Sequence, residues 1–104
     1  MSIDFAKSIY LLTKKNHDFG FRDQLRRAVV SISNNIAEGF GRQSKKEFSR
    51  FLFYARGSCF EVKSMIHLGK QLGYFEDSSV SELLAEQERI NIMIWGLISY
   101  LSKK

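Results

Sequence analysis

Apolar residues recur at three- and four-residue steps through four stretches of the chain, the spacing that gathers them on one face of an α-helix. The first stretch predicts a helix from about Ser2 to Lys15, with Phe5, Ile9 and Leu12 aligned and Lys7, Lys14 and Lys15 turned away. Asn16 to Gly20 reads as a turn. A second helix is expected over Phe21 to Glu38, where Leu25, Val29, Ile32 and Ile36 form the seam. Gly39 and Gly41 stand where a left-handed cap would end it.

Ser44-Lys45-Lys46-Glu47 fits a capping box, with Ser44 as N-cap and Glu47 reaching back. The third helix then runs to Leu72 on the seam Phe48, Leu52, Ala55, Cys59, Val62 and Ile66, a length of roughly 43 Å. Gly57 and Gly69 lie inside it, each costing about 1 kcal/mol relative to alanine, which suggests bending or close helix contact. Gly73 ends it. A second box, Ser79-Val80-Ser81-Glu82, predicts the start of the last helix, with Leu83, Gln87, Ile90, Ile94, Leu97 and Leu101 as its seam.

Four amphipathic helices on short loops must bury their stripes against one another. The expected architecture is all-α: a single domain over residues 1–104, folded as an antiparallel up-down four-helix bundle. Composition agrees. The chain has 104 residues, enough for one core, and is 44% hydrophobic and 26% charged, which excludes disorder. One cysteine, Cys59, excludes a disulfide framework and makes a reducing compartment the default. Met1-Ser2-Ile3-Asp4 lacks the basic start of a signal peptide, and the longest apolar run, Ile92 to Leu101, is half the roughly 20 residues of a membrane span. A soluble cytoplasmic chain without membrane contact is expected.

Charge changes the picture. The net +5 is concentrated: Arg22, Arg26, Arg27, Arg42, Lys45, Lys46, Arg50 and Arg56 face only Asp23, Glu38 and Glu47 between residues 22 and 56. Residues 57–102 carry three basic side chains against six acids. If the second and third helices are antiparallel, the basic residues make a stripe with Arg42, Lys45 and Lys46 at one end and Arg22 and Arg26 toward the other. Such a stripe suits a phosphate backbone, which draws Lys and Arg by counterion release. It equally fits a solvated helix face. Arg22, Arg26, Arg27, Arg42, Lys45, Lys46 and Arg50 are the candidate nucleic-acid contacts.

Catalysis has little support. His17 and His67 are not brought together by any pattern, Cys59 continues an apolar seam, and neither a zinc spacing nor an ExxH pair is present. The segment from Gly39 to Lys46 joins glycines, cations and a helix start, but its spacing is not a Walker loop, and capping explains it as well as an anion does. No enzyme activity, cofactor or metal is expected.

Apolar surface is in excess. One seam fills the bundle, which leaves Met93, Trp95, Ile98 and Tyr100 on the last helix and Phe51, Phe53 and Tyr54 on the third in need of cover. Asn34 and Asn35 sit mid-helix despite poor propensity, on a polar side suited to contact with another chain or simply to water. The candidate oligomer interface is Asn34, Asn35, Phe51, Tyr54, Met93, Trp95, Ile98 and Tyr100; a crowded monomer core with a few exposed rings is the alternative.

The run from Ser31 to Arg42 (Ser-Ile-Ser-Asn-Asn-Ile-Ala-Glu-Gly-Phe-Gly-Arg), then Ser44-Lys45-Lys46-Glu47-Phe48, Phe51-Leu52 and Ala55-Arg56-Gly57-Ser58, resembles the signature of a bacterial four-helix-bundle family. Leu68 to Tyr74 also fits. Its members are known from reading frames in intervening sequences of 23S ribosomal RNA genes, and accessory variability determinant proteins of diversity-generating retroelements are related. The resemblance implies a barrel-like homopentamer. In the retroelement branch it implies a basic barrel associating with nucleic acid and a reverse transcriptase. Ser33 stands where proline is expected in many relatives, so the second helix should be straighter here.

The sequence therefore points to a basic, non-enzymatic homo-oligomer, expected to be a pentamer, that associates with RNA or DNA. A scaffold binding an acidic partner protein is the alternative.

Overall fold

The computed structural model describes residues 1–103; Lys104 lies outside them. Four helices follow in order: α1 (Ser2–Leu12), α2 (Phe19–Phe40), α3 (Lys45–Gln71) and α4 (Asp77–Leu101). There is no strand among the described residues. α2 packs on α3 and α3 on α4, and α1 closes the bundle between α2 and α4.

Three side-chain meetings show α2 and α3 to be antiparallel. Ser58 Oγ donates to Ser31 Oγ at 2.9 Å. Gly39 lies against Phe48 at one end, and Gly69 lies against Phe21 at the other. Gln87 Nε2, which donates to the Cys59 carbonyl at 3.0 Å, and the Trp95 ring against Phe53 do the same for α3 and α4. The core is continuous through all four helices, and Phe5, Leu25, Ile32, Leu52, Ile66 and Ile94 are wholly enclosed.

α1 is shorter than the pattern predicts. It stops at Leu12, and Thr13 rather than Leu12 is buried. The Thr13 hydroxyl donates to the Ile9 carbonyl at 2.7 Å and accepts from Arg26 Nε at 3.0 Å, so a polar residue enters the core with its bonds made. Eleven residues give α1 about 16 Å, against about 37 Å for α4. The ends of α2 and α4 therefore run beyond it.

α2 starts earlier than expected because Asp18 caps it, accepting from the Phe21 N–H at 3.2 Å. It runs through Ser33 without interruption. Its expected left-handed glycine cap is absent: Gly41 is right-handed at φ −75°. Gly39 is helical and buried, and a β-carbon there would come within 2.8 Å of Phe48 Cδ1. Close approach of α3, not turn geometry, is what requires glycine.

α3 begins as predicted, with the Glu47 N–H donating to Ser44 Oγ at 3.1 Å. The Glu47 carboxylate pairs with Arg50 at 2.7 Å instead of reaching back. The helix ends in a Schellman motif. Gly73 adopts φ +77°, its N–H donates to Lys70, and the Tyr74 N–H donates to Gly69 at 2.8 Å.

α4 starts at Asp77, after Glu76, rather than at the Ser79 box. Phe75 is buried beside Gly69, 6.0 Å from the Phe21 ring, and this anchor commits the chain to helix immediately afterwards.

Candidate nucleic-acid interface

The seven candidate cations fall into two groups rather than one stripe, with a gap of about 22 Å along α2 between Arg27 and Arg42. Arg42, Lys45, Lys46 and Arg50 converge where α2 turns into α3. Arg42 pairs with Glu38 at 2.6 Å and Arg50 with Glu47, while the Phe51 ring lies between them, 4.9 Å and 5.5 Å from their guanidinium carbons. Lys45 and Lys46 are exposed and have no ion pair among the described residues. A shallow cleft lined by Ala37, Glu38, Gly41 and Arg42 opens on the α2 side of this corner. The free N–H groups of α3 add positive potential at the same corner.

The other group is mostly occupied. Arg22 pairs with Asp23 at 3.0 Å and stacks on Phe19. Arg26 donates to Thr13 Oγ1 and to the Tyr10 carbonyl, both at 3.0 Å, and lies 4.4 Å over the Tyr10 ring. Its donors hold α1 on α2. Arg27 lines one shallow cleft with Tyr10, Asp23 and Arg26 and is exposed, without an ion pair among the described residues.

The interface candidates also divide. Ile98 is only 4% exposed and belongs to the subunit's own core, which corrects its assignment to an interface. A helix has 3.6 residues per turn, so a strict four-three seam drifts. By the end of α4 the buried line is Ile90, Ile94 and Ile98, and Leu97 and Leu101 are half-buried at its edge. Asn35 is spent within the chain: its Nδ2 donates to the Ser31 carbonyl at 2.8 Å and to Ser31 Oγ at 2.9 Å. Asn34 and Tyr54 are exposed, and Phe51 is half-buried at the basic corner. Met93 and Tyr100 share one face of α4, while Trp95 points about 140–160° away from them. Trp95 meets Phe53 edge-on at 6.3 Å.

Sequence reasoning passed over Arg56 as a site residue. Its guanidinium lies 4.4 Å from the Trp95 ring centre and 5.1 Å from that of Phe60, and no carboxylate lies within ion-pair distance among the described residues. A second four-three pattern was available to find this region: Lys46, Arg50, Phe53, Gly57 and Phe60, on the side of α3 opposite its seam.

Cys59 is buried and desolvation pushes its thiol up to about 12, so it stays protonated and unreactive. Among the described residues no three His, Cys, Asp or Glu side chains gather as a metal site. Nor is any helix there long and apolar enough to cross a membrane.

The family model described as 23S rRNA-intervening sequence protein matches residues 1–96. The chain belongs to that family. The chain has no match among curated proteins. Among solved structures it resembles a protein of unknown function from the S23 ribosomal protein family of Bacteroides thetaiotaomicron, with a TM-score of 0.88 and 24% identity over 93% of this chain and 94% of that one. At that identity the likeness establishes the four-helix fold shared by the two proteins.

Proposed function

We propose that the protein is a non-enzymatic, basic accessory factor that associates with RNA and works as a homo-oligomer, with a pentamer as the expected form. The observation that carries the reading is the corner where Arg42, Lys45, Lys46 and Arg50 meet at the positive end of α3, with two lysines left unpaired. Such a corner gathers phosphates without reading bases. The description of the family by its place within 23S rRNA genes supports RNA as the first ligand to test.

Assembly is supported by the apolar end that α1 leaves uncovered. Phe40 is 65% and Tyr100 68% exposed there, and Met93 shares the face of Tyr100. A second copy of the chain would bury these side chains between α2 and α4, as α1 does at the other end of the groove.

Fluorescence anisotropy with labelled RNA across a salt series tests the nucleic-acid reading. Affinity should fall steeply with salt, and Lys45→Glu with Lys46→Glu should weaken binding and flatten the log–log slope by about one per lysine removed. Binding no tighter than that of an unrelated protein of equal net charge overturns it and favours an acidic protein partner.

A further inference from the structure

The outward side of α3 interleaves cations with aromatic rings. Lys46, Arg50, Phe53, Gly57 and Phe60 succeed one another at steps of four and three; of the two carboxylates of α3, Glu47 pairs with Arg50 and Glu61 lies at the edge of this line beside Phe60. Arg56 and Lys63 flank it on the side of α4. Phe53, Phe60 and Trp95 are 49%, 46% and 47% exposed, too open for core residues and too clustered for chance surface rings.

Arg56 is held face-on between the Trp95 and Phe60 rings, and its Nε is buried without a hydrogen-bond partner. The Gln87–Cys59 and Trp95–Phe53 contacts set the register of α3 against α4 and bring Asn91 across from Arg56. Asn91 Oδ1 is likewise buried and unpartnered. Gly57 stands between the rings, and a β-carbon there would meet nothing within 4 Å. A glycine in a helix interior weakens the helix, and no internal packing at this one requires it. It leaves the backbone open to close approach from outside.

We propose that this face, closed on one side by Trp95, is a stacking track for an unpaired nucleic-acid strand. The inference rests on the nucleic-acid reading above and narrows it. Bases stack on Phe53, Phe60 and Trp95, and phosphates follow Lys46, Arg50, Arg56 and Lys63. Phe53 and Phe60 are two turns apart, about 10 Å, a gap that bases two nucleotides apart on an extended strand can bridge. An occupant must bring flat apolar surface and negative charge together, and a single strand does so at every nucleotide. A duplex hides its base faces. A two-fold contact between copies would set this positive face against itself, and a heterologous contact is read by the mass of the assembly.

Trp95 is the only tryptophan, so fluorescence excited selectively at tryptophan, away from the four tyrosines, reports this face alone. The wild-type protein is titrated with a single-stranded RNA lacking internal pairing, and with an RNA duplex carrying the same number of phosphates. The single strand should quench Trp95 and the duplex should not. Phe53→Ala with Phe60→Ala should weaken single-strand binding roughly tenfold or more and leave duplex binding unchanged. Equal response to both RNAs, with no effect of the aromatic changes, overturns the track while leaving phosphate association at Lys45 and Lys46 intact. Failure to bind either RNA overturns both. A drop in the mass of the assembly on removing the two rings also overturns the track, by making this face a subunit interface.

Discussion

The Tyr74 hydroxyl donates to Asp18 Oδ2 at 2.6 Å, joining residues 56 apart in sequence. Asp18 also caps α2 through Oδ1, so one carboxylate ties the α1–α2 turn, the start of α2 and the α3–α4 turn together. The Tyr74 hydrogen bond first, and the Phe21 N–H second, hold the Asp18 carboxyl below its usual range, while Asp18 raises the Tyr74 phenol.

The sign of the pH dependence follows. A depressed carboxyl stabilises the fold fully above its unfolded value near 4, and the contribution fades as pH falls below that. The raised phenol acts at the other end, with stability lost as pH climbs above about 10. Tyr74→Phe should therefore shrink the loss of thermal midpoint between pH 7 and pH 3. An unchanged acid slope in paired melting curves would refute the clamp.

Gly57 and Gly69 should respond oppositely to alanine. At Gly69 a β-carbon would come within 2.7 Å of Phe75 Cδ2 and 3.0 Å of Phe21 Cζ, so overpacking should cost about 1–3 kcal/mol. At Gly57 the space is open, and alanine should stabilise by about 0.5–1 kcal/mol. Urea denaturation of the two variants reads both signs.

Gln87 is buried with Oε1 unpartnered, and its only bond goes to the Cys59 carbonyl. Gln87→Leu removes a half-satisfied amide at similar volume. Stability should hold or rise by up to about 1 kcal/mol in chemical denaturation.

Thr13→Val keeps the buried shape but removes the acceptor for Arg26 and the bond to Ile9. A loss of about 1–2 kcal/mol is expected. Amide exchange should quicken first in α1, the helix that Arg26 fastens.

Phe40→Glu with Tyr100→Glu places charge on the uncovered end of the bundle. Light scattering should then find the proposed homo-oligomer reduced toward the 12.1 kDa chain. An undiminished mass would move the subunit contact elsewhere.

Helix count, order and most of the core were legible in the sequence because period and caps are local. Ile9, Leu25, Ile32, Leu52, Ile66 and Ile94 were placed inside by spacing alone, and all are buried. Three boundary errors share a cause. Thr13 entered the core because Arg26 satisfies it, Gly39 is helical because Phe48 sits on it, and α4 starts early because Phe75 is anchored under α2 and α3. Each is decided by a residue distant in the chain.

The candidate site divides along the same line. Sequence by itself determined that the chain is basic between residues 22 and 56 and carries more apolar surface than one seam can bury. Only tertiary structure decided that Arg26 serves the fold, that Ile98 is core, and that Arg56 lies between rings from two helices. Hydrophobic periodicity is written along one helix, whereas the partner of a polar or charged side chain depends on which helices meet, and at what register.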